Sequence, residues 1–226
     1  MAKPKKTRRD VLTGLGALTA AGALGTHEVQ AHAATSSSSQ AAATAQATPS
    51  ASFTPQAHSE DAWMSSIPGK HRIVLDTISA EHVPDAIRYA GNLLNAHKSG
   101  YGLSDTDIAI IVCFRHAATA YGYDNAFWAK HGKTVDAEAD PVPTANPYNS
   151  GTRTQIADLV KRGVHFMMCG LASRAIAGRI AGQGGDADAV LKEIAASLVP
   201  NGRIVPAGVI GVTHAQERGF ALIYVG

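Results

Sequence analysis

Apolar positions along the chain fall into three regimes. A run dominated by small apolar residues covers Val11–Leu24, a stretch almost without large apolar side chains follows to about residue 66, and from His71 onward short apolar runs alternate with helix-spaced ones. Ile73-Val-Leu75 reads as a short buried strand ending in Asp76-Thr77. Residues 82–98 place Val83, Ala86, Ile87, Ala90, Leu93, Leu94 and His97 on one helical face, with Pro84 tolerated in the first turn and Gly100 and Gly102 as stops. Ile108–Cys113 is apolar throughout, as a strand covered on both faces must be. The pattern then predicts a helix over 117–130, a polar loop over 132–152 that stays out of the core, and a helix over 154–162 closed by Gly163. A third strand over 164–168, helices over 171–180 and 187–198, and strands at 204–205 and 221–224 flanking a helix over 208–218 complete the series. Strands alternating with helices predict an α/β fold: a mostly parallel five-stranded sheet between two layers of helices.

The first two regimes change the picture of domain organisation. Lys3, Lys5, Lys6, Arg8 and Arg9 precede the apolar run, which is shorter than the about 20 residues a membrane-spanning helix needs, and Ala31-His32-Ala33 supplies small residues for cleavage. Thr7-Arg8-Arg9-Asp10-Val11-Leu12 resembles the twin-arginine export motif, with Val11 where Phe is usual and Thr13 where Lys is common. Residues 1–33 are therefore expected to be a signal peptide, 34–69 a low-complexity disordered spacer, and 70–226 the domain, with Trp63 and Ile67 able to dock back onto it. Export implies an oxidising compartment, the periplasm or its equivalent.

Charge follows the same division. The 226-residue chain has a formal net charge of +2, but five of its 20 basic and two of its 18 acidic residues lie in the first 33, leaving 15 basic against 16 acidic. A near-neutral mature chain has no electrostatic footprint for nucleic acid, and no second hydrophobic segment of membrane length follows the signal. With 45% hydrophobic residues, a sizeable core is expected.

In a doubly wound sheet, ligands collect at the carboxyl ends of the strands beside helix N-termini. Four places qualify: Asp76-Thr77, Cys113-Phe-Arg-His116, Cys169-Gly170 and Pro206-Ala-Gly208. Both cysteines of the chain are among them, too few for a disulfide scaffold. Cys169 ends a strand and precedes a helix, whose free N–H groups favour a thiolate; against that stands burial as a small apolar residue behind Phe166-Met-Met. Cys113 reads more as core, and a Cys113–Cys169 bridge between adjacent strands stays open. Arg115 and His116 are candidates for binding an anion or moving a proton, or else a surface arginine and a backbone-bonded histidine. Asp76 either orients a ligand or caps the following helix. His27 and His32 fall in the signal and His58 in the spacer, while His97, His116, His131, His165 and His214 show no metal-ligand spacing, so neither metal nor cofactor is expected.

Three stretches carry a resemblance: Gly163-Val-His-Phe-Met-Met-Cys-Gly-Leu-Ala-Ser-Arg-Ala, Leu198-Val-Pro-Asn-Gly-Arg-Ile-Val-Pro-Ala-Gly-Val, and Thr213-His-Ala-Gln-Glu-Arg-Gly-Phe-Ala-Leu-Ile-Tyr. Together with Asn92-Leu-Leu-Asn95 and Asp124-Asn-Ala-Phe-Trp128, they resemble the DsrE/DsrF-like family, especially its exported branch, over residues 71–226. The resemblance implies a flavodoxin-like subunit of about five parallel strands that forms homo-oligomers, often trimers or hexamers. It also implies sulfur chemistry, since in relay members a cysteine carries persulfide between partner proteins; Cys169 stands at a different place from that relay cysteine. The expectation is an exported protein that handles sulfur or thiols through Cys169, with a sulfur-transfer partner or small ligand, and the alternative is a non-catalytic module binding a small ligand in the same cleft.

Overall fold

The computed structural model describes residues 53–149 and 155–226, so the signal-peptide reading of 1–33 and most of the spacer lie outside the described residues. After a 3-10 turn at Ser59–Asp61 comes α1 (Ala62–Ser66), then β1 (His71–Thr77), α2 (Val83–Tyr101) and β2 (Ile108–Phe114). A 3-10 segment at His116–Gly122 leads to α3 (Asn125–Val135) and, after a loop, α4 (Ile156–Lys161). The chain ends with β3 (His165–Cys169), α5 (Gly170–Ala181), α6 (Ala187–Ala196), β4 (Gly202–Val205), α7 (Gly208–Glu217) and β5 (Ala221–Val225). The five strands form one sheet in the order β4-β3-β2-β1-β5, and every pairing is parallel. The fold is α/β, with helices on both faces of the sheet, as the alternating pattern requires.

The two faces are unequal. On one, Ile73, Leu75, Ile110, Val112, Phe114, Phe166 and Met168 pack under α2 to α6, with Trp128 and Phe127 of α3 fully or almost fully buried. On the other, Val74, Ala109, Ile111, Cys113 and Met167 pack under α7 and α1. Adjacent strands β3 and β4 thus send their chains to opposite faces, α5 to the first and α7 to the second. That divergence leaves a crevice at their carboxyl ends, the switch point at which open α/β sheets take up ligands.

Three expectations need correction. The ordered unit begins before residue 70: Met64 and Ile67 are buried against the α7 face, and Arg72 donates to the carbonyls of Met64 and Ile67. Apolar docking and two charge-assisted hydrogen bonds offset the ordering entropy that composition alone made prohibitive. Secondly, the helix expected over 117–130 is two elements, because Asp124 caps α3 by accepting from the Phe127 N–H and so begins a new helix. Thirdly, the loop expected to stay out of the core sends the fully buried Asn146 into it.

The docked α1 segment covers a titratable group of the sheet. Trp63 lies tilted at 6.0 Å between ring centres against half-buried His165 of β3, and Arg203 lies over the same indole at 5.5 Å. Burial, then the Arg203 charge, pushes the His165 pKa below its ordinary value. A histidine whose folded pKa is depressed contributes stability that is present above the unfolded value of about 6.5 and lost as pH falls through the folded one. Urea midpoints should therefore fall between about pH 7 and pH 5, and His165→Asn should flatten that fall; a slope unchanged by the substitution removes His165 from the explanation.

Candidate functional site

Two helices begin where β3 and β4 end. Cys169 is both the last residue of β3 and the N-cap of α5, and Ala207 caps α7 two residues beyond the end of β4. Close approach at this point depends on glycine. A Cβ on Gly170 would lie 2.7 Å from the Val205 carbonyl oxygen and 2.9 Å from that of Pro206. A Cβ on Gly208 would lie 2.6 Å from the Arg115 Cβ and 3.3 Å from the Cys169 Cβ. The first turns of α5 and α7 thus both abut Cys169, and their free amides favour negative charge there.

A cavity of about 890 Å³ opens over this point. Cys169 lines it, as do Arg115 and His116 from the end of β2 and Gly208 and Val209 from α7. Leu171, Ala172, Ala175 and Arg179, spaced along one side of α5, form a long wall. Ala117, Ala120 and Tyr121 of the 3-10 segment and Thr134 to Glu138, from the last turn of α3 onward, close the other sides. The small alanine side chains on both walls leave the width. Cys169 itself is 7% exposed.

Of the residues singled out in the sequence, Cys169, Arg115 and His116 come together on this cavity, and Asp76 and Cys113 lie behind it. Asp76 is buried and caps no helix. It accepts from Arg115 Nε at 2.7 Å and Nη2 at 2.8 Å, a bidentate pair that holds the guanidinium at the strand ends and raises the arginine's pKa. Cys113 is fully buried on the α7 face, 3.9 Å from the Gly208 carbonyl oxygen that its thiol faces, and burial, followed by the nearby Asp76 charge, pushes that thiol well above its ordinary value. The two cysteines are both free. His116 is exposed and takes φ = 50° at the rim, a left-handed conformation that non-glycine residues adopt at a cost of order 1 kcal/mol.

Sequence reasoning missed Arg179, Asp136 and Glu138. Arg179 was legible in principle, since it lies eight residues beyond Leu171, on the same side of a helix. The acidic pair had no such signal: Asp136 is the C-cap of α3 and Glu138 lies just beyond it, and both reach the cavity only because α3 packs against α5. Tyr121, also on the wall, is pushed up to about 12 by burial first and by Asp136 second. Among the described residues no group of His, Cys, Asp and Glu is arranged to hold a metal ion, and no helix is long and apolar enough to cross a membrane.

No family model matches the chain, and no curated protein matches it. The solved structure of a protein of unknown function, MTH1491 from Methanobacterium thermoautotrophicum, is similar at 17% identity with a TM-score of 0.40, the match covering 69% of this chain and 99% of that one.

Proposed function

We propose that this chain is an exported, DsrE/DsrF-like protein that handles sulfur or thiols through Cys169. The observation that carries the reading is the position of Cys169: the cysteine lines the switch-point cavity, at the N-terminus of α5 and against that of α7. Helix N-termini favour the anionic sulfur that attacks or carries a sulfur atom. Arg115, fixed by Asp76, lines the same cavity as Cys169. The motifs around 163–175, 198–209 and 213–224 support the family reading, and the basic, apolar and small-residue order of 1–33 supports twin-arginine export. Exposed Val209, Ile210, Leu222 and Tyr224 support self-association or docking of a sulfur-transfer partner.

The volume and apolar walls of the cavity favour a second reading, a non-catalytic module for a small ligand. Labelling with iodoacetamide separates the two. In the folded protein Cys169 should react and Cys113 should not, because Cys113 is sealed and its thiol is pushed up. Wild type and Cys113→Ser should then label at one rate while Cys169→Ser stays unlabelled. If Cys169 reacts only on unfolding, the binding-module reading replaces the thiol-handling one.

A further inference from the structure

The cavity has a shape and a charge pattern that thiol chemistry alone does not require. Cys169 stands at the start of α5 and Arg179 in its last turn, and the cavity follows the helix between them. At a rise of 1.5 Å per residue, the eight residues from Leu171 to Arg179 span about 12 Å. Between the ends the walls are Ala172, Ala175 and Ile176 on one side and Ala117 and Ala120 on the other. Arg179, Asp136 and Glu138 all line the cavity, and none of them is in an ion pair among the described residues. A cation and two carboxylates without ion-pair partners on one apolar-walled cavity, Asp136 beside the Tyr121 hydroxyl, complement a ligand that bears both charges itself.

Resting on the thiol-handling reading of the same cavity, we infer that Cys169 exchanges with the disulfide of a short peptide thiol that carries a free ammonium and a free carboxylate. Its carboxylate meets Arg179 and its ammonium meets Asp136 or Glu138. Length favours a peptide over free cystine: about 15 Å of helix rise separates Cys169 from Arg179, and a residue beyond the reacting cysteine adds about 3.3–3.6 Å of reach toward Arg179 that cystine lacks. In the reaction Cys169 loses its proton to solvent and its sulfur attacks one sulfur of the disulfide. The original S–S bond breaks as the Cys169–S–S–peptide bond forms, and the departing thiolate takes up a proton. One disulfide is consumed and one is made, so no external oxidant or reductant enters.

The test uses the full chain with three probes: oxidised glutathione, the same disulfide N-acetylated and esterified, and cystine. Mixed-disulfide formation at Cys169 is followed by intact mass. Oxidised glutathione should react about tenfold faster than its charge-blocked form, the range of one charge-assisted hydrogen bond, and faster than cystine. Arg179→Ala should pull the first ratio toward one. A wild-type ratio near one overturns the charge recognition, and cystine reacting as fast as the tripeptide overturns the length argument, each while leaving Cys169 a reactive thiol. No adduct from any probe on the folded protein overturns the thiol-handling reading itself.

Discussion

Asp76→Ala is expected to cost the fold about 3–5 kcal/mol, because it leaves a guanidinium held inside the strand ends without its counter-charge. The Arg115 side chain is only 16% exposed and its Nε and Nη2 both donate to Asp76. No other carboxylate among the described residues pairs with Arg115, whose Cβ lies so close to Gly208 that only a glycine fits there. Removing both partners should cost less than the sum of the single losses. Asp76→Ala/Arg115→Met, with an apolar chain of similar volume, should therefore recover part of the stability. Urea unfolding of the three variants and wild type gives the cycle. A loss below about 1 kcal/mol for Asp76→Ala, the range of exposed pairs, means that solvent reaches Arg115 and that the pair does not anchor the cavity floor. Because Arg115 and Cys169 both approach Gly208 and line one cavity, slower Cys169 labelling should accompany the loss if the freed side chain falls across the cleft.

The sheet was the most legible part, for a physical reason. Central parallel strands are buried on both faces, and Ile108–Phe114 is buried at all seven positions, so an unbroken apolar run is the only pattern it permits. Edge strands are less constrained: β4 and β5 are half-exposed, and only their apolar kernels at Ile204-Val205 and Ala221–Tyr224 stood out. The helix read over 117–130 failed because Ala-rich residues 117–120 have high helix propensity, while the Asp124 cap and the backbone bond of Asp124 N–H to the Ser197 carbonyl end one element and start another. The switch point was legible as a set of strand ends, and Cys169, Arg115 and His116 do meet there. That Arg115 is committed to Asp76 was not, since the two lie 39 residues apart and nothing in either neighbourhood announces the pairing.

Asn146 shows most clearly what composition conceals, and Asn146→Ala should rank with Asp76→Ala in effect. The segment around it, rich in Asp, Pro and Asn, has every mark of a solvated loop, yet the Asn146 side chain is fully buried. Its Nδ2 donates to the Tyr121 carbonyl at 2.8 Å and to the Tyr123 carbonyl at 2.7 Å, and its Oδ1 accepts from the Tyr148 N–H at 3.0 Å. Those carbonyls come from where the 3-10 segment gives way to α3, so they lack the ladder partners that a continuous helix would supply. Alanine leaves buried acceptors without donors, each worth about 1–3 kcal/mol, and the expected loss is about 2–4 kcal/mol once some relaxation is allowed. Asn146→Asp should fare no better, because it removes both donors and sets a carboxylate against two carbonyl oxygens. The loop that Asn146 anchors begins at Asp136 and Glu138 on the cavity wall, and its Tyr148 packs on the cavity-lining Tyr121 at 5.2 Å between ring centres. Loosening it should open the cavity wall before the sheet unfolds. Iodoacetamide should then reach Cys169 faster in Asn146→Ala than in wild type under conditions where the far-UV signal of the two is the same. A loss under about 0.5 kcal/mol in urea would mean that water replaces all three bonds, and an unchanged labelling rate would detach the loop from control of the site.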